Sequence, residues 1–100
     1  MVQVITASSE IPRQGLVLVD FFATWCGPCK TVAPYFEQLA ATFTNVKFLK
    51  ADVDDFEDEH GGFDVNVLPT FMFLRDGLMI QKIEGADLNR VMKLLSDLSS

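Results

Sequence analysis

Val19-Asp20-Phe21-Phe22-Ala23-Thr24-Trp25-Cys26-Gly27-Pro28-Cys29-Lys30 joins two kinds of periodicity at a pair of cysteines. Its first half continues Leu16-Val17-Leu18 in a run that is apolar apart from Asp20, the pattern of a strand covered on both faces. Beyond Gly27-Pro28, the apolar positions Val32, Phe36, Leu39 and Phe43 follow helical spacing, which predicts a helix from Cys29 to about Phe43. Pro28 suits the first helical turn, where a missing N–H costs no hydrogen bond. A helix N-terminus carries unpaired N–H groups and partial positive charge, which favours thiolate over thiol. Residues three apart on a helix share a face, within reach of the ~4.4–6.8 Å Cα separation of a disulfide. One geometry therefore supplies an activated nucleophile and a partner that can close onto it. Cys26, at the outer end, is expected to be the exposed thiolate, and Cys29, a turn further in, the buried thiol that acts second.

Working outward, Val2 to Thr6 is short, β-branched and alternating, as an edge strand is. Ser8 to Gly15 has room for one helical turn between its start and Pro12. Pro34 falls inside the helical pattern and is expected to kink the helix, because the periodicity resumes beyond it. Val46 to Val53 reads as a second internal strand, and Asp54 to His60 as a short acidic helix stopped by Gly61-Gly62. Phe71 to Arg75 and Leu78 to Glu84 flank Asp76-Gly77, a strong hairpin signal. Leu88, Val91, Met92, Leu95 and Leu98 form one stripe of a final helix that Asp87 can cap. Helices between strands imply parallel pairing with both faces covered, and the hairpin adds antiparallel strands.

The 100 residues allow one domain, taken as 1–100. With 49% hydrophobic residues the chain can build a core, which excludes intrinsic disorder. A net charge of −6, with no Lys/Arg stripe to displace counterions from phosphates, argues against nucleic acid. No apolar run approaches the ~18 residues of a membrane-spanning helix. The first residues, MVQVITASSEIPRQG, show neither a basic nor an apolar leader region, so an intracellular, reducing address is expected. There a permanent structural disulfide is disfavoured. A structural zinc site wants about four ligands, and the chain offers Cys26, Cys29 and His60. Two inert buried cysteines are the other bland reading, but a CxxC between strand and helix reads more readily as a redox pair.

The stretch from Val19 to Lys30 resembles the active-site segment of the thioredoxin family. The likeness extends through Pro34, Lys50-Ala51-Asp52-Val53-Asp54, Leu68-Pro69-Thr70, Asp76-Gly77 and Gly85-Ala86, covering about residues 16 to 98. It implies an α/β fold with a central five-stranded mixed β-sheet flanked by up to four α-helices, the first of them short. It also implies a protein-disulfide reductase working by dithiol–disulfide exchange, with Cys26 as nucleophile and Cys29 as resolving thiol. No bound cofactor or metal is implied. Reducing equivalents would come from NADPH through thioredoxin reductase, the clients would be disulfide-containing proteins, and the chain would be a cytoplasmic monomer that maintains redox homeostasis.

Asp20, inside a strand covered on both faces, is expected to have a raised pKa and to exchange protons near neutral pH. The resemblance gives it that role towards Cys29; a strand-end carboxylate in solvent is the alternative. Lys50 shares a strand face with Val46 and Phe48, and the resemblance places it near Asp20, where a cation would temper the rise. On the residues alone, a solvated lysine is an equal reading. The resemblance further implies a cis Leu68–Pro69 bond facing the dithiol, with the Leu68 backbone free to pair with an extended substrate. Trp25, Gly27, Pro28, Pro69 and Gly85 would form an apolar rim around it. Trp25 beside the turn is expected to be partly exposed. The acidic run from Asp52 to Glu59 reads as a solvated helix face or as a means of steering basic partners.

Three places depart from the family pattern: the short segment containing Pro12, the Gly61-Gly62-Phe63-Asp64 stretch, and Glu84 before Gly85. Two other functions fit less well. One is a disulfide isomerase or oxidant, opposed by Pro28, since a histidine at that place marks oxidants in the resembling families. The other is a non-catalytic interaction subunit, opposed by the presence of both cysteines.

Overall fold

The apolar run Leu16–Phe22 forms β2, the central strand of a five-stranded sheet in the computed structural model, which describes residues 1–59 and 61–100. Strand order is β1 (Val2–Val4), β3 (Lys47–Asp52), β2, β4 (Thr70–Arg75), β5 (Leu78–Glu84). β1 and β2 both pair parallel with β3, whereas β4 pairs antiparallel with β2 and β5. This is the mixed sheet that the sequence predicts. Asp76 (φ 54°) and Gly77 (φ 86°) make the tight turn between β4 and β5, as their left-handed backbone allows.

Alternation along β2 divides two apolar layers. Leu16 and Leu18 face α1 (Gly27–Thr42) and α2 (Leu88–Ser99), where Val32, Phe36, Val91 and Leu95 complete one core. Val17, Val19 and Phe21 face the opposite way, into a core with Ile5, Leu49 and Met72. Asp20 therefore lies on the helix side, in line with Leu18. α1 runs unbroken through Pro34. α2 is capped as expected, with Asp87 Oδ1 accepting the Arg90 N–H at 3.2 Å. Asp87→Ala should lower stability by about 1 kcal/mol, seen as a lower urea midpoint at unchanged slope.

Among the described residues two α-helices and one 3-10 turn, Ser8–Glu10, flank the sheet, fewer than the four helices allowed for. The expected acidic helix from Asp54 is absent over residues 54–59; His60 lies outside the described residues. Residue 57 instead bridges to β1's continuation: the Glu57 N–H donates to the Thr6 carbonyl (2.8 Å) and the Ser8 N–H to the Glu57 carbonyl (2.9 Å). Like charges four apart, Asp54 with Asp58 and Asp55 with Glu59, oppose a helix here. The extended course also lets Phe56 and Phe63 reach Phe21, at ring-centroid distances of 5.3 and 5.9 Å. Among the described residues between β3 and β4, 53–59 and 61–69, none is helical. Among the described residues no helix is long and apolar enough to cross a membrane.

Candidate active site

β2 ends at Phe22, and the chain turns through Ala23-Thr24-Trp25, with the Cys26 N–H donating to the Ala23 carbonyl at 3.2 Å. Cys26 is then the N-cap of α1, and Pro28 falls in the first turn where its missing N–H is harmless. Cys26 and Cys29 are joined by a disulfide, with their Cα atoms 5.3 Å apart. The Cys29 N–H also points at Cys26 Sγ, 3.2 Å away. A donor so placed favours a thiolate at that sulfur.

Exposure does not separate the two cysteines as the sequence suggested: Cys26 is 5% and Cys29 4% accessible. What separates them is the space each one faces. Cys26 lines an open groove of about 570 Å³ with Trp25, Gly27, Pro28 and Leu68. Cys29 lines a smaller recess of about 250 Å³ with Asp20 and Lys50.

The inner recess follows from register. Asp20 and Lys50 are partners across the β2–β3 ladder and so share a face, the one on which α1 begins. Asp20 is 3% accessible, and its Oδ1 has no hydrogen-bond partner. Burial raises its pKa from 3.8 to about 7, with the Lys50 charge pulling the other way. Lys50 is half-buried and places its Nζ 4.7 Å from the centroid of the Phe22 ring. Neither is the solvated strand-end group that the residues alone also permitted.

In the outer groove, Trp25 is 69% accessible and donates its Nε1–H to Asp54 Oδ2 at 3.0 Å. The Asp54 N–H in turn donates to Asp52 Oδ1 at 3.0 Å, which steadies the acceptor. Leu68–Pro69 is cis, and the Gly85 N–H donates to the Pro69 carbonyl at 2.8 Å. Pro69 and Gly85 therefore sit together beside the groove, while its lining also takes in Val53, Val65 and Asn66. Those three were not picked out from the sequence. Val53 carries a signal, as the apolar residue just past a strand, but Val65 and Asn66 lie in an irregular segment with no periodicity. Asp54 was seen only as one of a run of acids.

A family model described as thioredoxin matches residues 3–98. This chain belongs to the thioredoxin family. An H-type thioredoxin of Picea mariana is 44% identical over 89 residues, covering 86% of this chain and 71% of that protein. Thioredoxin-1 of Caenorhabditis elegans is 46% identical over 70 residues, which is 70% of this chain and 61% of that one. Among solved structures, the oxidised form of mitochondrial thioredoxin 3 from Saccharomyces cerevisiae superposes with a TM-score of 0.88 at 36% identity, covering 97% of this chain and 95% of that one. The thioredoxin fold is thus shown, with two α-helices among the described residues. Thioredoxins are thiol–disulfide oxidoreductases, and so is this chain, with Cys26 and Cys29 as its redox-active pair. Among the described residues no group of three or more His, Cys, Asp or Glu side chains is placed to hold a metal ion.

Proposed function

We propose that the chain reduces protein disulfides, with Cys26 attacking and Cys29 resolving. The observation that carries this division is the placement of the two sulfurs: Cys26 faces the open groove, and Cys29 faces the recess of Asp20. In the reduced protein the Cys26 thiolate attacks one sulfur of the substrate disulfide. That bond breaks, a mixed disulfide forms, and the leaving thiolate takes a proton. Cys29 then gives its proton to Asp20, whose pKa of about 7 suits that exchange, and attacks Cys26. The Cys26–Cys29 bond forms, the second substrate thiol departs, and two electrons have passed to the substrate. Lys50 keeps the Asp20 pKa from rising further, so that the carboxylate is populated at neutral pH.

The groove supports an extended polypeptide as substrate. Trp25, Pro28 and Leu68 offer it apolar contact, and the Leu68 backbone beside Pro69 offers strand-like pairing, which binds without demanding one side chain. Gly85 is tied to the Pro69 carbonyl next to Leu68, and neither Pro69 nor Gly85 belongs to the groove lining itself. Reducing equivalents then come from NADPH through thioredoxin reductase, with no prosthetic group on the chain itself. The likeness to a solved chain studied for thiol resolution in a yeast mitochondrial 1-Cys peroxiredoxin, at 34% identity, makes peroxiredoxins reasonable clients. On this reading the chain works as a cytoplasmic monomer that passes electrons from reductase to client.

Insulin reduction by dithiothreitol tests the reading. The chain should bring forward the onset of B-chain precipitation in a dose-dependent way. A non-catalytic interaction subunit would leave the onset where dithiothreitol alone puts it.

A further inference from the structure

One wall of the groove hangs from a strap, residues 64–69, that belongs to no helix or strand. Val65, Asn66 and Leu68 line the groove from within it, so ladder or helix hydrogen bonds do not hold them in place. Side chains from β4 and β5 clamp that strap instead. Thr70 Oγ1, at the start of β4, donates to the Val67 carbonyl. Lys82 Nζ, on β5, donates to the Asp64 carbonyl at 2.9 Å. Between the clamps, Asn66 Nδ2 donates to Asp64 Oδ1 at 2.9 Å, which ties the wall to the residue that Lys82 holds.

Lys82 is well placed for this. It is the cross-strand partner of Met72, which is fully buried in β4, so its backbone is fixed by the β4–β5 hairpin. Its neighbour on the same face, Glu84, has Oε2 3.9 Å from Nζ and holds the ammonium over the strap. The lysine side chain is 29% accessible, so water competes only in part for its donors. Glu84, where the sequence departs from the family pattern, thereby gains a local role beside the groove.

We propose that Lys82 is a positioning residue for the substrate groove, holding the wall of Val65, Asn66 and Leu68 in register with Cys26 for an extended polypeptide. This rests on the reading of the groove as a protein-disulfide site. A small disulfide needs only access to Cys26 Sγ, so its reaction depends little on the wall. A polypeptide lies along the wall and pays for any disorder in it.

The test compares wild type with Lys82→Met, which keeps the apolar stem and loses the donor, and with Lys82→Arg, which keeps a donor. For each, kcat/KM is measured with insulin and with 5,5′-dithiobis(2-nitrobenzoate), and the ratio of the two is taken. Loss of one partly shielded charged hydrogen bond should lower that ratio about three- to tenfold in Lys82→Met, mainly through KM for insulin. Lys82→Arg should restore it. A ratio within twofold of wild type in Lys82→Met overturns the proposal, as does an equal fall in Lys82→Arg. If wild type reduces insulin normally, such a result removes only the role of Lys82. If wild type itself does not reduce insulin, the groove reading fails and this proposal fails with it.

Discussion

Asp20→Asn should gain on wild type in stability as pH rises, by about 2–3 kcal/mol between pH 5 and pH 8. The buried carboxyl titrates near 7 in the folded chain against 3.8 as its ordinary value, because burial penalises its charge more than Lys50 relieves it. The folded state thus holds this proton more tightly than the unfolded state does. Its contribution to stability is whole below pH 4, is lost progressively as pH rises from about 4 to about 7, and changes no further above that. Across the whole window the loss is about 4 kcal/mol, since each pKa unit corresponds to about 1.4 kcal/mol. Asparagine has no proton to lose and escapes this cost. Urea melts of both proteins at the two pH values, with the disulfide intact, measure the change in the gap. A constant gap would mean that Asp20 is solvated in solution. The same substitution should slow resolution of a mixed disulfide by about a hundredfold, the lower end of what a positioned proton acceptor contributes. Initial attack by Cys26 should change less, so stability and catalysis move in opposite directions.

Cys29→Ser should halt the cycle after its first half and hold clients on Cys26 as mixed disulfides. Turnover with insulin should fall by on the order of 10³ or more, as expected when a covalent step loses its nucleophile. Intact mass after incubation with a disulfide-containing protein should show the sum of the two partners, reversible by dithiothreitol. Cys26→Ser should lose turnover equally but trap nothing, because Cys29 opens towards the inner recess with Asp20 and Lys50 and not towards the groove. Trapping by Cys26→Ser in place of Cys29→Ser would reverse the assignment of nucleophile and resolver.

Much of this site was legible before any coordinates. The position of the cysteine pair at a helix start, the strand feeding it and the hairpin beyond Pro69 all follow from contacts between near neighbours in the chain. Asp20 drew attention because a lone acid interrupts Leu16–Phe22, and its burial bears out the reason given. The failure at Asp54 to Glu59 is equally physical. A short polar segment between glycines and a strand has little helical preference of its own, and two phenylalanines with a place to go on Phe21 decide its course. With the helix gone, the groove wall at Val65 and Asn66 could not be foreseen.

Local physics along the chain is enough to settle several elements. The twofold alternation of a strand, the 3.6-residue stripe of α2, the Asp76-Gly77 turn and the Asp87 cap each depend on residues at most a few positions apart. Tertiary structure decided the rest. The Asp20–Lys50 pairing depends on the β2–β3 register, the Trp25–Asp54 hydrogen bond spans 29 positions, and the Lys82 clamp on Asp64 joins a hairpin to a strap 18 positions earlier. Such contacts are set by how the sheet stacks and where its strands align, and no local pattern of residues encodes them.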